Sequence, residues 1–319
     1  MKKYFATILV MMMFLSLAIA CDSSDDHDGG PVSAEKTIEK APYIMYAHGK
    51  KYNRKENARE FDEAVQMVID EAINTNIASE SVTTTDYGTL EATLGDKAMT
   101  VTDLEINGPI DLTDFNFMKK CAQQGNLRCL ILFNADIKNK KIPDEAFYEQ
   151  IDGVCPVLMP IARVFLPDDV LEIGEKAFAS MVMVEVHLPE NLRKLDDDCF
   201  RYSSYLRGSL SIPDGVTEIP DHAFFGSGIS KLEIPAGVTE IDALSFANNE
   251  NLQTITCHAA YPPLSADRNE HGETVYAFGD RLHRGTPRDI SVYIPKGSKA
   301  RYADSKSGWQ WFSNFVEME

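Results

Sequence analysis

The motifs that usually announce chemistry are missing from this chain. It has no H-E-x-x-H, no G-x-S-x-G, no phosphate-binding glycine loop and no dinucleotide fingerprint. Those patterns would place a metal-activated water, a serine nucleophile or a nucleotide, so no catalytic site and no cofactor is expected. Its 6 cysteines form no C-x-x-C pair, which removes the common zinc and redox spacings. Basic residues are also short, with 31 Lys and Arg against 49 Asp and Glu for a net charge of −18. Sequence-independent nucleic-acid binding needs clustered Lys and Arg, so nucleic acid is not an expected partner. The apolar run Tyr4 to Leu17 is too short to span a bilayer as a mature helix.

What the chain does have is a repeat. Leu166-Pro167, Leu188-Pro189, Ile212-Pro213 and Ile234-Pro235 are each followed, eleven residues after the Pro, by a Phe: Phe178, Phe200, Phe224 and Phe246. Apolar residues recur six, three and one places before the Pro (Ile161, Val164, Leu166; Met183, Val186, Leu188; Ile229, Leu232, Ile234) and three and six places after it (Val170, Ile173; Leu192, Leu195; Val216, Ile219; Val238, Ile241). A unit of 22 to 24 residues that cannot bury its own inward row is explained by stacking. Weaker copies lie at Val101-Leu104-Ile106, Leu127-Leu130-Leu132, Leu252-Ile255-Cys257 and Val292-Ile294, giving eight strand-like turns. The unit between Pro189 and Pro213 carries extra residues around Arg207 and Gly208, which shifts its first apolar slot to Leu206. Each Pro ends a short strand because it has no N–H to donate.

The N-terminus reads as an address. Lys2 and Lys3, the apolar run, and small residues Ala18 and Ala20 before Cys21 look like a bacterial lipoprotein signal in which Cys21 is lipidated, although Ala18 stands where Leu is usual. An ordinary secretory signal is the alternative. Residues 1–20 are then the signal peptide, and 21–35, acidic and without apolar residues, form a lipidated tether that has nothing to bury. The tether resembles the acidic export signal of Bacteroides-type surface lipoproteins. Removing residues 1–20 takes the net charge from −18 to −20. Cys199 stands where sister repeats have Ala177, Ala223 and Ser245, and Cys257 takes an inward strand slot, so both read as small buried hydrophobes. A Cys121–Cys129 bridge stays open in an oxidising envelope.

Residues 36–98 are expected as an N-terminal cap. Phe61, Ala64, Val65, Val68, Ile69, Ala72 and Ile73 make a helical stripe, joined by residues 88–95. A second helix is expected around Asp114 to Gln123. Residues 99–319 are the solenoid with its C-terminal cap. The repeat, the ending V-x-I-P-K-G-S…Y…G-W-x-x-F-x-N-F-x-E from Val292 to Glu317, and Pro262-Pro263 with Ala277-Phe278 resemble the BspA-like leucine-rich-repeat surface proteins. The resemblance covers about residues 88–319. It implies an α/β-type repeat solenoid with short parallel strands and few helices, held at the outer membrane by lipid and facing the exterior, in a family associated with adhesion to proteins or glycans.

The candidate site is the residue two before each Pro position: Glu105, Ile131, Phe165, His187, Ser211, Glu233, Thr256 and Tyr293. On a pleated strand these point away from the buried row, and exposed aromatics on a rigid row favour partner contact. The alternative is that caps or loops cover them. The insertion from His258 to Asp289 holds His258, Asp267, Glu270, His271, Glu273, Asp280 and His283, whose irregular spacing reads as a polar loop rather than a metal site. The leading expectation is non-enzymatic recognition of a protein or glycan by a lipid-anchored solenoid. Its rival is a structural component of an envelope assembly.

Overall fold

The computed structural model describes residues 44–73, 79–152, 155–268, 274–279 and 289–319. The signal peptide, Cys21 and the tether lie outside the described residues.

The period-2 apolar segments form parallel strands stacked in chain order. Strands β1 (Ile44–Ala47) and β2 (Lys50–Asn53) form an N-terminal hairpin and are followed by helix α1 (Ala58–Ile73). Then β3 (Ser79–Thr83), β4 (Asp103–Ile110), β5 (Cys129–Ile137) and, after β6 (Cys155–Leu158), β7 (Arg163–Phe165) build the first part of the ladder, β3-β4-β5-β7. The second part consists of β8 (Ser209–Ser211), β9 (Lys231–Ile234), β10 (Thr254–Cys257), β11 (Ser291–Ile294) and β12 (Asn314–Glu317). Register follows the repeat slot for slot. Leu104 lies opposite Leu130 and Leu130 opposite Val164, while Leu210, Leu232, Ile255 and Val292 align in the second part. The ladder has one turn more at each end than the apolar template predicts, because β3 and β12 join it through Ser81 opposite Glu105 and Tyr293 opposite Val316.

Inside, the phenylalanines stack. Ring centroids from Phe147 through Phe178, Phe200, Phe224 and Phe246 to Phe278 are 5.7, 5.1, 5.2, 5.4 and 5.8 Å apart, with interplanar angles of 24° or less. Phe115 closes one end edge-on at 5.5 Å and Trp309 the other at 5.0 Å. Backbone bonds follow the same path: the N–H of Phe147, Phe178, Phe200, Phe224 and Phe246 donates to the carbonyl of Ala177, Cys199, Ala223, Ser245 and Ala277. That carbonyl belongs to the residue before the next ring, and a small side chain there lets adjacent turns approach closely. Cys199 and Cys257 are fully buried as their slots require. Two residues before five of the six rings, Glu145, Lys176, Asp198, His222 and Leu244 all hold φ between 54° and 58°, a left-handed turn that side chains ordinarily disfavour by roughly 1–2 kcal/mol. Buried side chains cap leftover carbonyls: Ser203 donates to Phe178, and Asn249 to Phe224 and Phe246.

Helices are few. Besides α1 there are α2 (Leu90–Leu94), α3 (Leu112–Gln124) and α4 (Lys299–Ala303). Helix α3 falls between β4 and β5, where the Asp114 to Gln123 segment was expected. Buried Asp114 accepts from the N–H groups of Gly88, Leu90 and Asp111 and so ties α2 to α3. The α1 stripe does bury its face, but it does not close the end of the solenoid. It packs with Met45 against Leu158, Ala162, Val182 and Tyr205 on the flank of the middle turns, and β1 pairs in parallel with β6. Ile73, assigned to the stripe, is 58% exposed at the helix end. Over the first turns it is Leu90 and Leu94 of α2 that join the main core.

Phe200→Ala should cost roughly 3–5 kcal/mol, and because each turn touches only its neighbours, hydrogen exchange should accelerate first around Phe178 and Phe224. Uniform acceleration along the chain would contradict a ring-by-ring array.

Candidate interaction surface

Alternation along each strand sends one row outward. Glu105 lies opposite Ile131, which lies opposite Phe165; Ser211, Glu233, Thr256 and Tyr293 align in turn. His187 sits between the two groups, on a segment tied to β7 by a bridge between Arg163 and Glu185. All eight residues are exposed or half-buried. His187 contacts Glu185 at 2.9 Å, and Glu233 contacts His258 at 3.0 Å.

The apolar part of the face is concentrated on β5 and β7. Here β5 is irregular, with its register shifting opposite Glu105 to Asn107, and Phe133 is left 60% exposed. Its ring lies 5.5 Å from that of Phe165, and the Arg163 guanidinium sits 4.9 Å from the Phe165 ring. Phe133 follows Leu132, in the place that Pro holds in the stronger repeats, and slot spacing does not mark it as a surface residue, because a bulge cannot be read from spacing.

Beside this aromatic pair the ladder is interrupted, since no strand forms at 184–188. Pro189 and Pro213 are 24 residues apart where the flanking intervals are 22, and the surplus lifts Arg207 to the surface, its N–H bonded to the Val184 carbonyl. A cavity of about 520 Å³ opens there, lined by Ile73, Arg163, Val184, Glu185, Val186, His187, Arg207, Gly208 and Ser209.

One wall of the cavity comes from α1, and a buried cation holds that helix in place. Arg128 is fully buried. Its Nε donates to Glu71 on α1 at 2.8 Å, and its terminal nitrogens donate to the carbonyls of Ala122, Leu127 and Gly125. Two of these carbonyls end α3, where a cation is favoured. His48 completes the joint, contacting Glu71 at 2.9 Å and Asn126 at 2.7 Å. Burial lowers the Arg128 pKa and Glu71 opposes that shift.

Among the described residues the cysteines are all buried thiols. Cys121, Cys129, Cys155, Cys199 and Cys257 are free and buried, so the Cys121–Cys129 bridge left open by the sequence is not formed. Burial pushes the Cys121 thiol up to about 12 and that of Cys129 to about 11. Of the insertion's polar residues, His258 pairs with Glu233, and Asp267 lies in a short antiparallel ribbon opposite Val275. Glu270, His271, Glu273, Asp280 and His283 lie outside the described residues. Among the described residues no helix is long and apolar enough to cross a membrane.

Replacing Arg128 with Met removes the donor to three carbonyls and leaves Glu71 with His48. Leaving buried acceptors unsatisfied costs about 1–3 kcal/mol, and the loss should appear as early exchange of α1 while the repeats stay protected. Asp103 offers a pH test: one carboxylate oxygen is buried without a hydrogen bond, and burial raises its pKa despite nearby Arg163. A carboxyl held above its unfolded value opposes folding once ionised, and that penalty fades as pH falls through its folded pKa toward the unfolded value of about 3.9. Asp103→Asn should therefore raise Tm at pH 7, with the gain shrinking in the acid range. Equal gains at pH 7 and pH 4 would rule this cause out.

Residues 171–261 match the model of the BspA type leucine-rich repeat region in 6 copies. No curated protein matches the chain. Among solved structures it is similar to a leucine-rich repeat protein from Eubacterium ventriosum ATCC 27560, at 15% identity over 68% of this chain and 51% of that one, TM-score 0.33. It is also similar to a leucine rich cell surface protein from Faecalibacterium prausnitzii A2-165, at 16% identity over 80% and 62%, TM-score 0.30. A third is a leucine-rich repeat protein from Bacteroides ovatus ATCC 8483, at 12% identity over 74% and 72%, TM-score 0.26. The chain spans 51% and 62% of the length of the first two. With matched repeats at 171–261 and a Phe ring from each turn stacked on the next, the chain carries a BspA type leucine-rich repeat region at residues 171–261.

Proposed function

We propose that this protein is a non-enzymatic recognition module of the cell exterior, held to the outer membrane by lipid on Cys21, that binds a protein or glycan through the open face of its strand ladder. The observation that carries the reading is the aromatic cluster on β5 and β7. Phe133 is 60% exposed and packs at a tilt against Phe165, with Ile131 beside them on the same face of the sheet. Apolar rings held in water by a rigid scaffold are the kind of residue that dominates binding energy when a partner covers them. The rest of the row, His187, Ser211, Glu233, Thr256 and Tyr293 with Glu105, supplies a polar surround. The surface location rests on the signal-like N-terminus and the acidic stretch behind it, and the net charge of −18 keeps nucleic acid off the list of partners.

The test is binding of the full chain to matrix proteins and a glycan panel, alongside a Phe133→Ser/Phe165→Ser variant. Hot-spot losses of about 2 kcal/mol or more predict roughly thirtyfold weaker binding or worse with an unchanged unfolding transition. A ligand bound equally by both proteins would remove the open face as the site. Absence of any ligand on a broad panel would favour a structural role in an envelope assembly.

A further inference from the structure

We propose that the cavity at the interrupted turn is a subsite for a carboxylate-bearing sugar, such as a uronic or sialic acid unit of a glycan. The proposal rests on the open-face reading and names the chemistry that the face takes.

Three observations converge on it. The first is charge. Arg163 and Arg207 line one cavity, in a chain whose net charge is −18. Several cations elsewhere in the chain are paired, Arg128 with Glu71, Lys141 with Asp144, Glu172 and Asp196, Lys194 with Asp196, and Arg201 with Asp198, while Lys231, opposite Ser209 in the ladder, adds a further basic group beside the cavity. No ion pair forms on Arg163 or Arg207 among the described residues, although Asp103 acts on Arg163 at longer range. Guanidinium groups match carboxylates bidentately. The second is size. About 520 Å³ falls within the usual 300–1,000 Å³ of small-ligand sites. The third is the lining. Ile73, Val184 and Val186 offer an apolar wall, Ser209 and His187 offer hydrogen-bonding groups, and the Phe165 and Phe133 rings extend the apolar surface beyond Arg163. A sugar acid presents one carboxylate, several hydroxyls and an apolar ring face. An acidic peptide side chain has the carboxylate but no flat apolar face to lay on the rings. Glu185, the acid of the lining, is engaged by His187 at 2.9 Å.

The cavity exists because of the surplus residues at the interrupted turn. Gly208 adopts φ 87°, and a Cβ there would meet nothing within 4 Å, while the backbone of this loop is tied on one side to the Val184 carbonyl and on the other to the N–H groups of Ser230 and Lys231. Of the two guanidiniums, Arg207 is the one on an exposed residue, which makes it the safer position to change.

The experiment titrates the full chain with trigalacturonate, its methyl ester, sialyllactose and an oligo-glutamate peptide, then repeats the series with Arg207→Gln. Binding of an acidic sugar, weakened about tenfold or more by esterification and by Arg207→Gln with Tm unchanged, is the expected result. Equal binding of ester and acid, or indifference to Arg207→Gln, overturns it. Binding of the peptide and of neither sugar overturns the carbohydrate assignment. If no acidic sugar binds while the Phe133→Ser/Phe165→Ser variant loses another ligand, the open face stands and this subsite falls. If that variant loses nothing either, both readings fall.

Discussion

A benzene ring can be held between two like rings only if the backbone returns to the same place each turn, and that demand sets the geometry of this molecule. From Phe147 to Phe278 every ring has a stacked neighbour within 5.8 Å on each side or, at the ends, an edge-on aromatic partner. The N–H of one ring's residue bonds to the carbonyl just before the next ring, so ring spacing and backbone spacing are one constraint. It explains the small residue before each Phe, where anything larger than Ala, Ser or Cys would push the turns apart. It also accounts for the left-handed residue two places before the rings from Phe147 to Phe246, since the chain must reverse sharply to bring the ring inward. The outer row inherits this order: side chains on the open face are held in line because the rings behind them are.

The same constraint shows why the turn between Pro189 and Pro213 matters. The stack from Phe178 through Phe200 to Phe224 continues undisturbed at 5.1 and 5.2 Å, so the surplus residues cannot be absorbed in the core. They are expelled on the strand side, where the ladder parts and Arg207 is lifted outward. A repeat protein can thus vary its surface locally while its interior stays regular.

The regular part of this arrangement was legible in the sequence for a physical reason. Slots such as Leu104, Leu130 and Val164 recur because each faces the same environment, and the outer row is their period-2 complement. Phe147 follows Ile142-Pro143 with Ala146 before it, as Phe224 follows Ile219-Pro220 with Ala223 before it, so its place in the stack was available to a reading anchored on the ring rather than the strand. β3 was harder, since Ser79 to Thr83 has a single strongly apolar residue, Val82, and earns its strand by pairing with β4. The seat of α1 could not be read at all. A hydrophobic stripe shows that a face is buried but not against what, and its partners Leu158, Val182 and Tyr205 lie about a hundred residues downstream. The aromatic pair and the cavity were hidden for a related reason, because a bulge at Phe133 and a parted ladder at 184–188 are departures from the pattern that made everything else visible.

The seat of the N-terminal hairpin has a mechanical consequence. Strand β1 enters the solenoid on its flank, pairing Ile44 with Val157 and Met45 with Leu158, and α1 is fastened by the Arg128–Glu71 contact. Load entering the described chain at Ile44 acts on this joint, near the middle of the array, before it reaches the strand ladder. Strain at the hairpin is thereby received on the flank, one element removed from the row of side chains on the open face.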